Sequence, residues 1–101
     1  MLNQSIICGR LVQGPKKVEL ENGKVKVVIT VAVTRSYKNV DGVYDTDFIN
    51  CTLWNGIAEN TTEYCKKGDL IGIRGRLQSN EEKLEFIAEK VTFLSSKRNE
   101  E

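Results

Sequence analysis

The sequence predicts an all-β domain, a five-stranded barrel with one short helix between its third and fourth strands. Three observations point there. Alternating or β-branched runs recur along the chain, separated by turn signals such as Gly14-Pro15, Asn22-Gly23 and Asn39-Val40-Asp41-Gly42. Only Ile57 to Cys65 has helical spacing. Gly9, Gly72 and Gly75 fall inside strand-like runs, where a strongly bent sheet needs a bulge or a close backbone approach.

Ser5 to Val12 is the first strand, with Ile7, Gly9 and Leu11 on one face and Ile6, Cys8 and Arg10 on the other. Val18 to Glu21 is a short extended piece before the Asn22-Gly23 hairpin signal. Val25 to Thr34 is the longest β-branched run. Its second face, Val28, Thr30, Ala32 and Thr34, is small and nearly uncharged, which fits cover by protein or contact with a ligand equally well. A loop of roughly Ser36 to Tyr44 follows, carrying the aromatics Tyr37 and Tyr44. From Phe48 to Trp54 the chain alternates again. Ile49, Cys51 and Leu53 make a core face, while Phe48, Asn50, Thr52 and Trp54 make a face of large rings separated by small polar groups.

Asn55-Gly56 ends that strand. Ile57, Thr61 and Tyr64 share a helical face, with Lys66-Lys67 in the last turn and Gly68 as the stop. Leu70 to Leu77 is the fourth strand, with Ile71, Ile73, Gly75 and Leu77 on one face and Gly72, Arg74 and Arg76 on the other. Ser79 to Glu82 turns, Leu84 to Leu94 is the last strand, and Ser95 to Glu101 is polar. The expected organisation is one domain over 1–95 and a short polar tail over 96–101. Five strands in this order, with a helix after the third, make the Greek-key barrel called the OB-fold.

Composition narrows the function. A length of 101 residues and 40% hydrophobic content suit one small core. No apolar run approaches the roughly 18 residues of a membrane span, and MLNQSIICGR lacks a secretory pattern, so a cytoplasmic protein is expected. Cys8, Cys51 and Cys65 are widely spaced and there is no His, which argues against zinc, against a catalytic triad and against any cofactor. Cys8 and Cys51 read as small buried hydrophobes. No enzyme is expected. Net charge is only +1, but acids crowd the last quarter while the first forty residues are basic, so a local basic groove is compatible with the total.

The aromatic face suits the stacked bases of unpaired nucleic acid. A core role for Phe48 and Trp54 is the bland alternative. The wholly apolar opposite face of the same strand decides for binding. Arg74 and Arg76 stay open between phosphate contact and cross-strand pairing with Glu85 or Glu89. Lys66, Lys67 and Tyr64 read as helix-end charges and helix packing.

Over about residues 4 to 94 the chain resembles the bacterial single-stranded-DNA-binding protein family. The resemblance rests on SIICGRL, ITVAVTRSY and TDFINCTLWNGIAENTTEYCKKGDLIGIRGRL, in that order and spacing. It implies non-catalytic, largely sequence-independent binding and protection of single-stranded DNA in replication, repair or recombination, by a nucleoid-associated homotetramer. The family's stacking aromatics match Tyr37, Phe48 and Trp54, with Tyr44 a further candidate and Arg35, Lys38, Arg74 and Arg76 candidates for phosphate. The first strand pairs with its copy in family members, which would cover Ile6 and Cys8. Two departures stand out. The segment Gln78 to Lys83 has no aromatic and two acids, where relatives often carry a long loop with a further ring. The acidic-aromatic tip that recruits partner proteins is absent, as in a tail-less or truncated form, which speaks against tail-mediated partners. A primosome-type protein-interaction module and a single-stranded RNA binder remain the alternatives.

Overall fold

Two long antiparallel hairpins carry most of the backbone pairing. The computed structural model describes residues 1–95, in the order β1 (Ser5–Leu11), β2 (Lys16–Glu19), β3 (Val25–Lys38), β4 (Tyr44–Leu53), α1 (Asn55–Tyr64), β5 (Leu70–Asn80) and β6 (Lys83–Ser95). The expected tail, 96–101, lies outside the described residues. The sheet runs β1-β5-β6-β4-β3-β2, and β1 also pairs with β3. Five strands thus close a mixed barrel, and β2 is appended to β3 outside the closed ring. The closure rests on two short seams. One is antiparallel, Arg10↔Ala32 and Leu11↔Val31. The other is parallel, Cys51↔Phe86 and Thr52↔Ile87.

The inward faces predicted by alternation supply the core. Leu11, Val27, Ile29, Val31, Cys51, Leu53, Ile71, Ile73 and Phe86 are buried together with Ala58 of the helix. Two glycines let the barrel bend where strands cross tightly. A Cβ on Gly9 would stand 2.2 Å from the Ala32 carbonyl oxygen, and one on Gly75 would stand 2.1 Å from that of Ile87. Backbone excludes a side chain at both positions, and the Val31 and Phe86 side chains crowd them further at 2.8 Å. Gly75 also sits at a register shift in the β5–β6 ladder, the bulge expected at a barrel corner.

Several boundaries differ from expectation. Both strands of the central hairpin run further, so Tyr37 and Tyr44 lie on strands and the connection is only Asn39 to Val43. The Asn39 side-chain oxygen stabilises that turn by accepting from the Asp41 and Val43 amides at 2.8 and 3.0 Å. The short extended piece begins at Lys16 and pairs along its full length with β3. The helix stops at Tyr64, before the two lysines, because Asp69 accepts the Lys66 amide at 3.0 Å and Gly68 turns the chain at φ +92. Its buried residues are Ala58 and Thr61, while Tyr64 is exposed and tilts against Phe93 at 6.1 Å. Cys8 is exposed and not buried. Cys51 is buried as expected, and burial pushes its thiol up to about 12. No helix among the described residues is long and apolar enough to cross a membrane.

Candidate functional site

The β3–β4 hairpin presents an open row of side chains on the face turned away from the core. Pairing in register places Ala32 beside Phe48, Thr30 beside Asn50 and Thr34 beside Thr46. These neighbours are short, so nothing on β3 shields the Phe48 ring, which is 66% exposed. The Thr30 hydroxyl donates to Asn50 Oδ1 at 2.7 Å, which fixes the amide beside the ring. Alternation puts Tyr44 on the same face as Phe48, and Lys38 holds its ammonium 5.7 Å from the Tyr44 ring centroid, a cation–π approach. Tyr37 is 63% exposed, just before Lys38.

Trp54 lies past the end of this row. It is not a strand residue but the cap position of α1, half-buried with extended backbone (φ −123, ψ 153). Asn55 follows with φ +54, a left-handed conformation that Asn tolerates better than most side chains. The ring borders two depressions. One is lined by Lys24, Val25, Trp54 and Asn55. The other includes Trp54, Asn60, Arg76, Ala88 and Glu89. Lys24 was not among the residues singled out, because its position at a hairpin turn gave no hint that the turn folds back beside Trp54.

Thr52 is not available as a platform residue. It is buried, and its hydroxyl donates to Glu85 Oε2 at 2.7 Å, while Lys26 approaches the same carboxylate at 3.6 Å. The row is therefore interrupted between Asn50 and Trp54 by an acid held down by a Thr and a Lys.

The predicted cations divide. Arg76 lines the same depression as Trp54 and also makes the cross-strand pair considered for it, with Glu89 at 3.4 Å, plus a bond to Gln78 Oε1 at 3.0 Å. Arg74 is exposed, flanked across the strands by Ile6 and Lys90. No acid pairs with it among the described residues. Arg35 is engaged: Nε donates to Asp47 Oδ2 at 3.1 Å and Nη2 to Asp47 Oδ1 at 2.9 Å, with Asp45 3.6 Å away. The Asp47 hydrogen bond and charge, followed by Tyr37 and against a small desolvation, raise the guanidinium pKa; the same hydrogen bond lowers that of Asp47. Ile6 is 72% exposed and Cys8 exposed on the outer side of β1. Beyond the short seam with β3, the edge of β1 from Ser5 to Gly9 makes no strand pairing on that side among the described residues.

A family model described as the single-strand binding protein family matches residues 2–94. The chain is 40% identical over 109 residues to single-stranded DNA-binding protein B of Bacillus subtilis, covering 99% of this chain and 96% of the relative. It is 38% identical to single-stranded DNA-binding protein 3 of Listeria innocua, of which it spans 68%, and 38% identical to protein A of Bacillus subtilis, of which it spans 62%. A crystal structure of a deletion mutant of the single-stranded DNA binding protein from Thermus aquaticus superposes with a TM-score of 0.71 at 23% identity, over 93% of this chain and 51% of that one. That likeness bears on the fold.

Proposed function

We propose, from the premise that this chain belongs to the single-strand binding protein family, that it binds and protects single-stranded DNA by stacking bases on the outer face of the β3–β4 hairpin. The observation that carries the reading is the Phe48 ring, bare in a row of short neighbours on a paired sheet. An exposed aromatic held by backbone pairing offers a flat surface at little ordering cost, and each stacked base is typically worth about 1–3 kcal/mol. Tyr44 and Trp54 extend the platform and the exposed Tyr37 offers a further ring at the hairpin end, with Lys38, Arg74, Arg76 and Lys24 as phosphate contacts. Stacking reads no particular base, so binding is largely sequence-independent. Such binding serves replication, repair and recombination, wherever strands are separated.

The open edge of β1, with Ile6 exposed beside it, supports self-association through that strand. A homotetramer is the assembly we propose. Light scattering tests it, with a mass near four times 11.4 kDa expected and a monomer refuting it. For DNA binding, the test is quenching of Trp54 fluorescence by oligo-dT. Saturable quenching that weakens steeply with salt is expected, and no quenching at low salt overturns the reading.

A further inference from the structure

Arg35 invites a reading as a phosphate contact, being a cation beside the aromatic row. Its geometry points elsewhere. Along β4, Asp45 and Asp47 alternate with Tyr44, Thr46 and Phe48, so their carboxylates leave the sheet on the face opposite the rings. The guanidinium forks onto Asp47 through two hydrogen bonds and approaches Asp45 as well. It therefore lies on the reverse of the platform, with its planar fork already satisfied. Asp45 also accepts from the Asn39 side chain at 3.1 Å, and Asn39 in turn holds the hairpin turn. The clasp sits where regular pairing fails. Between Thr34 and Lys38 the register slips, with three residues of β3 set against one of β4.

We infer that Arg35 is a positioning residue for strand binding and not a contact to DNA. It bridges the irregular stretch from behind, so that Tyr37, Lys38 and Tyr44 are held in fixed relation to Phe48. The inference rests on the proposed binding of single-stranded DNA and assigns to Arg35 a role distinct from that of Lys38 on the front.

Salt dependence separates the two roles. A lost phosphate contact makes the slope of log affinity against log salt shallower by about 0.7 on a single strand, whereas a lost positioning group leaves it unchanged. The experiment measures oligo-dT affinity over a series of salt concentrations for the wild type, Arg35→Gln, Lys38→Gln and the double variant Arg35→Asp with Asp47→Arg. Arg35→Gln is expected to bind roughly two- to tenfold more weakly at every salt, the ordering cost of a freed side chain or two, with the wild-type slope. Lys38→Gln is expected to lower the slope. The swapped pair is expected to recover most of the affinity. A shallower slope for Arg35→Gln, unchanged affinity, or no recovery by the swap overturns the inference. Amide exchange over residues 36–45 judges the clasp without DNA, and faster exchange is expected in Arg35→Gln. If the wild type fails to quench while that exchange difference appears, the DNA reading fails and the clasp stands.

Discussion

Replacing Phe48 by Ala separates binding from folding, because most of the residue is exposed. A Phe side chain buries about 150–250 Å² when fully covered. With 66% of the residue exposed, roughly 100–160 Å² remains for a stacked base, and at about 25 cal/mol/Å² that sets a ceiling near 2.5–4 kcal/mol. Measured stacking on such rings runs at about 1–3 kcal/mol, so about 2 kcal/mol is expected, roughly a thirtyfold rise in Kd. Only the covered third of the residue supports folding, so stability should fall by about 1 kcal/mol, a loss of roughly 5 °C in melting temperature. Trp54 remains as the reporter, so the same oligo-dT titration serves wild type and variant. A Kd within twofold of wild type, with quenching intact, refutes stacking on Phe48.

Four further outcomes follow from the geometry. Gly75→Ala drives a Cβ into the Ile87 carbonyl, which cannot rotate aside; a loss near 3 kcal/mol and roughly 10–20 °C in melting temperature is expected, whereas Gly14→Ala, with nothing within 4 Å, should melt near the wild type. Burial holds the Cys51 and Cys65 thiols up at about 12 and about 11, so a thiol reagent near neutral pH should label Cys8 alone until the chain unfolds, and labelling of Cys8 should slow with rising protein concentration if β1 self-associates. Because the Asp47 carboxyl is depressed in the fold by Arg35, its stabilisation is present above the ordinary carboxylate range and is lost as pH falls through the lowered value; exchange of the hairpin amides, measured relative to the intrinsic rate, should quicken as pH falls through that value, and in Asp47→Asn at every pH. Refolding on dilution from denaturant, followed by Trp54 emission, should take milliseconds to seconds, as suits a barrel closed by non-local pairs.

Much of this was readable from residue order because alternation in a strand is a backbone property. The inward set from Ile29 to Ile73 and the outward position of Phe48 both follow from period two, and the packing agrees. The helix was readable from its spacing, although its end was not, since the Lys66 amide donating to Asp69 and the turn at Gly68 together set it. What alternation could not supply is contact between elements. Thr52 shared the ring face by count, yet the adjacent β6 brings Glu85 over it. Trp54 continues the strand by alternation, yet the chain turns there into α1. Arg35 looked like a free cation because Asp45 and Asp47 lie ten or more residues further on, and only the hairpin register brings them together. Cys8 looked apolar and buried because its neighbours are, while its face of β1 points outward.

The two short seams of the barrel have a consequence for how the platform comes into being. The β3–β4 and β5–β6 hairpins close through brief turns and can zip locally, within about microseconds. The seams β1–β3 and β4–β6 cannot, because each is only two residue pairs long and joins segments distant in sequence. Chain entropy must be surrendered before either seam returns any contact. Phe48 rides on a hairpin that can form locally, whereas Trp54 borders a depression whose other walls, Arg76 and Ala88, come from β5 and β6. The row of rings thus draws on one local hairpin and one non-local seam, and Trp54 has its full surroundings only when that seam is closed.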